Sequence, residues 1–141
     1  MNNYEILYIN LVEENFIKKS SVDLSKINNF VSNVNFNVEI KNESESVFSV
    51  LLKIKLDWSL EDEQQIEFNT AMEGVFKRNV DNPVPDINTF CRLNAPAMIF
   101  PFIREHVASI SLKAGLGAVI LGPVNFVRKK EDEERIKDKV E

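Results

Sequence analysis

Alternation of apolar and polar side chains predicts two paired strands in the first half of the chain. From residue 48 to residue 58 every second residue is apolar, and most of the residues between them are polar. Because successive side chains of a strand point to opposite faces, this period of two predicts a strand with one buried face. Residues 34–40 alternate in the same way. The short polar link at residues 42–46 therefore predicts that the two strands form a hairpin.

Two further strands are predicted on either side of this hairpin. Residues 66–72 alternate after an acidic turn at residues 61–63, and Gly74 then interrupts the pattern, which indicates a bulge or a bend. Residues 4–14 form the predicted N-terminal strand, whereas residues 17–33 show no clear pattern. The whole predicts a four-stranded, mostly antiparallel sheet with one solvated face.

Helical spacing replaces alternation in the second half of the chain. Pro83 and Pro85 end the sheet, and Asp86 is placed to cap a short helix that runs through residue 93. Pro96 predicts a break. Apolar residues then recur at helical spacing over residues 97–114, which predicts a long helix that ends at Gly115. The fold class is therefore α+β.

Length and charge limit the kinds of partner. The 141 residues, 44% of them apolar, are enough for one domain over residues 1–127, followed by a charged tail at residues 128–141. Seventeen Lys and Arg face 22 Asp and Glu, which gives a net charge of −5 without a basic stripe. Nucleic acid is therefore not an expected partner. The sequence has neither a membrane span nor a signal peptide, so we expect no membrane insertion and a cytoplasmic protein.

The residues that usually carry catalysis are scarce. The chain has one cysteine, Cys91, and one histidine, His106, which cannot build a Cys/His zinc cluster or an internal disulfide. Cys91 lies among apolar residues and is interpreted as a small buried side chain. His106 lies on the apolar side of the predicted helix, where a core or interface role is favoured over that of a catalytic base. We expect a binding protein without a metal or cofactor, not an enzyme.

Apolar side chains outnumber what one sheet face and one helix can cover. Residues 97–103, AMIFPFI, surround the whole circumference of the helix start. A partner subunit or an apolar ligand would cover them, because isolated domains seldom expose large apolar patches. The alternative is a thick single core with Phe100 beneath a loop. The small residues Ala108, Ser111 and Gly115 form one stripe, which would permit close approach of another backbone.

Three segments of the second half resemble the SecB family of protein-export chaperones. The segment NAPAMIFPFIREHVASIS, residues 94–111, is followed by GPVNF at residues 122–126, and EGVF at residues 73–76 is similar to the end of that family's fourth strand. The resemblance implies a four-stranded antiparallel sheet with a long and a short helix on one face. It also implies a homotetramer, built as a dimer of dimers around the long helix. Its function would be that of a chaperone that binds unfolded preproteins in apolar grooves, without ATP, before translocation.

The resemblance also carries residue assignments. The peptide-binding residues would come from the loop before the second strand, the end of the fourth strand and the helix start, and they are Ile27, Phe30, Val31, Val75, Phe76, Met98, Phe100 and Phe102. The small-residue stripe, together with His106, would form the oligomer interface, which therefore consists of His106, Ala108, Ser111 and Gly115.

Coupling to the SecA motor is less well supported by the residues. The strand position that is acidic in the family and helps to dock SecA is Asn69 here, although Glu67 lies close on the same face. Asp57, Glu61 and Glu67 remain a candidate acidic docking patch, and the alternative is a solvated strand connection. The tail has six acids and six bases and differs from the family's motor-binding end. A dedicated SecB-like adaptor for one partner, such as an antitoxin, is therefore the second hypothesis.

Overall fold

A four-stranded antiparallel sheet forms the larger layer of the molecule. The computed structural model describes residues 2–117, 119, 121–122 and 126. The strands are β1 (Tyr4–Lys18), β2 (Val31–Lys41), β3 (Val47–Leu60) and β4 (Glu63–Arg78), and they lie in the order β1-β4-β3-β2. All three pairings are antiparallel, and the predicted hairpin joins β2 to β3. The predicted sheet is confirmed, and β1 and β4 are longer than the alternation indicated.

Helical structure follows the sheet without the interruption that Pro96 predicted. Helix α1 (Ile87–Thr89) continues through a π-helical turn (Phe90–Asn94) into helix α2 (Ala95–Lys113). Pro96 directly follows the π-helical turn, in which the backbone N–H of Ala95 donates to the carbonyl of Phe90, and the helix continues through it, so the predicted break is wrong. A separate 3-10 helix (Leu24–Asn29) precedes β2.

The predicted helix cap at Asp86 is confirmed. Asp86 has an extended backbone, and its Oδ2 accepts a hydrogen bond of 3.3 Å from the backbone N–H of Thr89. The Thr89 hydroxyl donates to Oδ1 of the same carboxylate at 2.8 Å. The cap therefore fixes where the helical layer starts.

Gly74 serves close packing and is not a bulge. β4 passes through it without interruption, and Gly74 is paired with Val50 on one side and with Ile9 on the other. A Cβ at this position would lie 2.7 Å from a ring carbon of Phe76 and 3.1 Å from Cδ1 of Ile99. The missing side chain thus lets α2 approach the sheet. The irregularities lie in β1, where the register shifts between Ile6 and Tyr8 and again between Leu11 and Glu13.

Gly74→Ala is expected to lower the free energy of unfolding by about 1–3 kcal/mol, because the added methyl group must displace a packed side chain. Urea unfolding followed by the fluorescence of Trp58, the single tryptophan, measures the change. Gly122→Ala is the control, since nothing lies within 4 Å of its Cβ position. Equal unfolding midpoints for Gly74→Ala and the wild type would contradict the close packing.

The core lies between α2 and one face of the sheet, which we call the inner face. Ile99, Ile103 and Val107 of α2 are fully buried, and most inner-face side chains of β3 and β4 are buried too, whereas Trp58 is only partly buried. At one end Tyr4 stacks on Phe90, with ring centroids 3.8 Å apart. At the β2 side the ring of Phe126 lies 6.4 Å from that of Phe36. The other face of the sheet, the outer face, carries most of the polar strand residues.

Candidate functional site

An apolar pocket opens at the end of the sheet where β3 turns into β4. It has a volume of about 20 Å³ and is lined by Phe30, Trp58, Ile66, Leu116 and Val119. Trp58 and Ile66 are opposed in the β3–β4 ladder, and Phe30 immediately precedes β2. We call this the end pocket. Its lining is entirely hydrophobic, and its volume has room for about one methyl group, so it suits the tip of an apolar side chain.

Ser111 of α2 holds the chain segment that completes the lining of the end pocket. Its hydroxyl donates to the backbone oxygens of Val107 (2.8 Å) and Ala108 (3.0 Å), and it accepts from the N–H of Val119 at 2.9 Å. The N–H of Leu116 donates to the Ser111 carbonyl at 2.9 Å. Ser111 is completely buried, and these hydrogen bonds hold the segment that follows α2 against the helix.

The residues of the predicted interface stripe therefore differ in their exposure to solvent. Ser111 faces the core and is not available to another subunit, whereas Ala108 is half-buried and Gly115 is exposed. Gly115 has a φ of +79° at the end of α2, a backbone conformation that glycine adopts without strain. Its role in this chain is thus to end the helix.

The structure separates the predicted peptide-binding residues into several groups. Phe30 lines the end pocket, and the side chain of Ile27 lies outside the described part of the structure. Phe76 is fully buried and Phe100 is only 6% exposed, so both belong to the core. Val75, next to Phe76 in β4, must point to the outer face because strand side chains alternate.

Three other predicted residues remain at the surface without joining the end pocket. They are Val31, Met98 and Phe102, whose exposures are 63%, 39% and 50%. Conversely, the sequence analysis did not predict four of the pocket residues as part of a binding site. The alternation assigned Trp58 and Ile66 to the sheet core, and Leu116 and Val119 arrive only because the chain reverses after α2.

The outer face has a larger concavity of different chemistry. Its volume is about 340 Å³, and its lining is Glu13, Asn35, Phe36, Asn37, Lys53, Ile54, Lys55, Asn69, Thr70 and Ala71. The two lysines are already paired with carboxylates, Lys53 with Glu39 at 3.0 Å and Lys55 with Glu67 at 3.7 Å. An amide-rich surface of this kind suits a polar partner, whereas the end pocket suits an apolar chain.

Comparison with known proteins places the chain in a family. A family model described as preprotein translocase subunit SecB matches residues 11–131. The chain belongs to the SecB family. The resemblance noted in the sequence is therefore confirmed.

Two curated relatives and one solved structure illustrate the relationship. The protein-export protein SecB of Aromatoleum aromaticum is 34% identical over 96 residues, which are 67% of this chain and 59% of that protein. The protein-export protein SecB of Nitrobacter winogradskyi is 32% identical over 95 residues, with the same two shares, so the chain spans about three fifths of these relatives.

The solved structure shares the fold. The Mycobacterium tuberculosis Rv1957 SecB-like chaperone, in complex with a ChAD peptide from the Rv1956 HigA1 antitoxin, superposes with a TM-score of 0.72 at 15% identity. The match covers 86% of this chain and 91% of that chain. It confirms the α+β architecture, with one four-stranded sheet and one long helix.

The candidate acidic docking patch for SecA, which the resemblance to the SecB family suggested, lies on the outer face at the end where β3 turns into β4. Asp57 and Glu67 are directly opposed in the ladder, and Glu61 lies in the turn with a φ of 53°. Hydrogen bonds, first of all from Asn69, hold the pKa of Glu67 below its usual range. Glu67 is therefore charged at neutral pH and already accepts hydrogen bonds within the chain.

Cys91 of this SecB-family chain is inert, as expected for a buried thiol. It is completely buried, and burial raises its pKa to about 12. A thiol with so high a pKa forms almost no thiolate at neutral pH and cannot act as a nucleophile there.

In the part of the chain that the structure describes, no helix is both long and apolar enough to cross a membrane.

Proposed function

We propose that this SecB-family protein is an ATP-independent holdase that binds unfolded preproteins in the cytoplasm and keeps them competent for export. The observation that carries the proposal is the end pocket, an entirely apolar depression at the surface of a SecB fold. Unfolded chains differ from folded ones chiefly in their exposed apolar side chains. A pocket without charged groups selects for that difference.

The proposed affinity comes from several weak contacts. Burial of apolar area contributes roughly 25 cal/mol per Å² before association costs are subtracted. One pocket of this size accepts only part of a large side chain, so a client must use further apolar sites. Val31 at the start of β2 and Met98 at the start of α2 are exposed and are our candidates for these sites. Binding of this kind requires no chemical step.

Self-assembly is the second part of the proposal. β1 is an edge strand, and six of its large side chains are exposed: Ile6, Leu7, Tyr8, Leu11, Val12 and Ile17. Helix α2 adds exposed Phe102 and Leu112. The exposed side chains of β1 lie on both faces of the strand, and we call this edge of β1 together with the exposed side of α2 the β1–α2 surface. An apolar edge of this length favours pairing with a second copy, which hides it from water, and a dimer of dimers is the assembly we propose.

Light scattering tests the holdase activity directly. An unfolded, reduced client protein is diluted into buffer without nucleotide, with increasing amounts of the full chain. We expect scattering to fall as the chain approaches molar excess, and addition of ATP to change nothing. Unaltered aggregation at several-fold excess would overturn the proposal.

A dedicated adaptor for one partner, such as an antitoxin, is the second candidate. The pairing of Lys53 with Glu39 and of Lys55 with Glu67 favours it, because these two carboxylates of the outer face are already engaged and less available to a motor protein. Purification from native cells distinguishes the two candidates. A holdase should carry many substoichiometric chains, whereas an adaptor should carry one stoichiometric partner whether or not SecA is present.

A further inference from the structure

A buried polar cluster joins β1, β4 and α2. Oε2 of Glu14 lies 3.4 Å from Nε2 of His106, and the hydroxyl of Thr70 donates to the same Oε2. The side chains of Glu14 and His106 are only 16% and 20% exposed. Oε1 of Glu14 and Nε2 of His106 are buried without a hydrogen-bond partner among the described residues. The client-binding proposal gives this cluster no role.

The cluster joins the two parts of the β1–α2 surface, because Glu14 lies on β1 and His106 on α2. Phe102 is exposed and lies one helical turn before His106 on the same side of α2. On β1, the exposed residues Leu11 and Val12 precede Glu14. A second protomer seated on this surface would therefore remove the remaining solvent from Glu14 and His106.

Few other charges reach the pair. Glu13 and Asn15 alternate with Glu14 and so point to the outer face, as do Glu67 and Glu73, which alternate with Thr70 on β4. On α2, Arg104 lies over the ring of Phe100 at 5.0 Å, and Glu105 is exposed. Lys18 also lies on the inner face of β1, but four residues further along the strand and opposite Ile66. Within the described residues, Glu14 is the carboxylate of the sheet that lies within 4 Å of His106.

Removal of solvent from the Glu14–His106 pair changes which charge state of the pair is favoured. A carboxylate without a counter-charge is costly to bury, whereas a carboxylate beside a protonated imidazole forms an ion pair. Neutral His106 therefore opposes burial of Glu14, and protonated His106 permits it. Histidine is the side chain that ordinarily changes charge between pH 5 and pH 8. An assembled form that binds more protons than the separate protomers is favoured as the pH falls.

We propose that assembly through the β1–α2 surface is coupled to uptake of a proton by the Glu14–His106 pair. The inference rests on the assembly proposed above and adds its regulation. Mild acidification strengthens the contact between protomers, and alkaline conditions weaken it. The occupant of the surface is a second copy of this chain.

Sedimentation equilibrium of the full chain between pH 5.5 and pH 8.5 tests the coupling. For the wild type we expect the association constant to rise at least ten-fold as the pH falls from 8 to 5.5. His106→Gln and Glu14→Gln should each show a change of less than three-fold. Glu105→Gln is the matched control on the same helix and should keep the wild-type dependence. The fluorescence of Trp58 checks that every variant remains folded.

Each outcome decides the inference. A wild-type pH dependence retained in His106→Gln would refute it while leaving assembly intact. Assembly that is tight and independent of pH in the wild type would refute it in the same way. A chain that stays monomeric at every pH would overturn both the assembly and the inference.

Proton NMR of His106, the single histidine, gives an independent readout. Its titration midpoint should rise with protein concentration if assembly and protonation are linked. A midpoint that does not depend on concentration, in a sample shown to assemble, would contradict the coupling. A merely structural contact between Glu14 and His106 would not produce this concentration dependence.

Discussion

Phe100→Asp is expected to abolish cooperative folding or to bring the chain close to that limit. Phe100 is 6% exposed, and its ring lies 5.8 Å from that of Phe36 and 6.2 Å from that of Phe126. Loss of a buried phenylalanine ring alone costs roughly 3–5 kcal/mol, against a total stability of roughly 5–15 kcal/mol for a domain. The buried carboxylate adds to this cost.

Arg104 does not remove the penalty, although its guanidinium lies over the Phe100 ring. A buried Asp–Arg pair loses more hydration than its attraction returns unless further hydrogen bonds complete it. Urea unfolding and circular dichroism measure the effect. A cooperative transition with a midpoint equal to that of the wild type would show that the Phe100 site is open to solvent.

Phe102→Asp is the matched control. It introduces the same side chain two residues later, at a position that is 50% exposed. We expect a change in unfolding free energy within about 0.5 kcal/mol, as for most surface substitutions. Its effect should appear in the association constant of the protomers, because Phe102 belongs to the β1–α2 surface. The pair of variants thus separates core from contact surface on one helix.

Phe30→Glu is expected to weaken client binding at least ten-fold while the fold persists. Phe30 is half-buried and lines the end pocket, so a glutamate there would place a charge where an apolar client side chain enters. An uncompensated buried polar group costs about 1–3 kcal/mol, and each 1.4 kcal/mol is a factor of about ten in affinity. Titration of an unfolded client, followed by Trp58 emission in the same pocket, measures the affinity.

Two controls accompany this variant. Phe30→Leu keeps the pocket apolar and should bind clients within about three-fold of the wild type. Val84→Glu places the same charge at an apolar residue that is 78% exposed and lies outside the pocket lining, and it should leave affinity unchanged. If Phe30→Glu and the wild type bound clients equally well, the end pocket would not be the client site.

Much of the fold follows from local pattern. The alternation over residues 48–58 corresponds to β3, whose buried residues are the ones that the period of two assigned inward. The cap at Asp86 was predictable because its hydrogen bonds reach only three residues along the chain. The break at Pro96 was wrongly predicted because the effect of a proline depends on its position within a helix. The π-helical turn before Pro96 could not be recognised from the sequence pattern.

The candidate site was less predictable because its walls are distant in sequence. Phe30 was expected from the family resemblance, whereas Leu116 and Val119 reach it only after α2 has ended and the chain has returned to Ser111. Composition did predict an excess of apolar side chains. It could not show that Phe100 lies in the core and Phe102 at the surface, since both are phenylalanines on one helix.

The sequence by itself determined the order of the four strands and the long helix and the membership of the SecB family, because these depend on local periodicity and on short motifs. The tertiary structure alone decided which apolar residues are core, pocket or exposed surface. It also placed Glu14 beside His106 from elements far apart in the chain. Burial and pairing of this kind result from how α2 lies across the sheet, which no local pattern encodes.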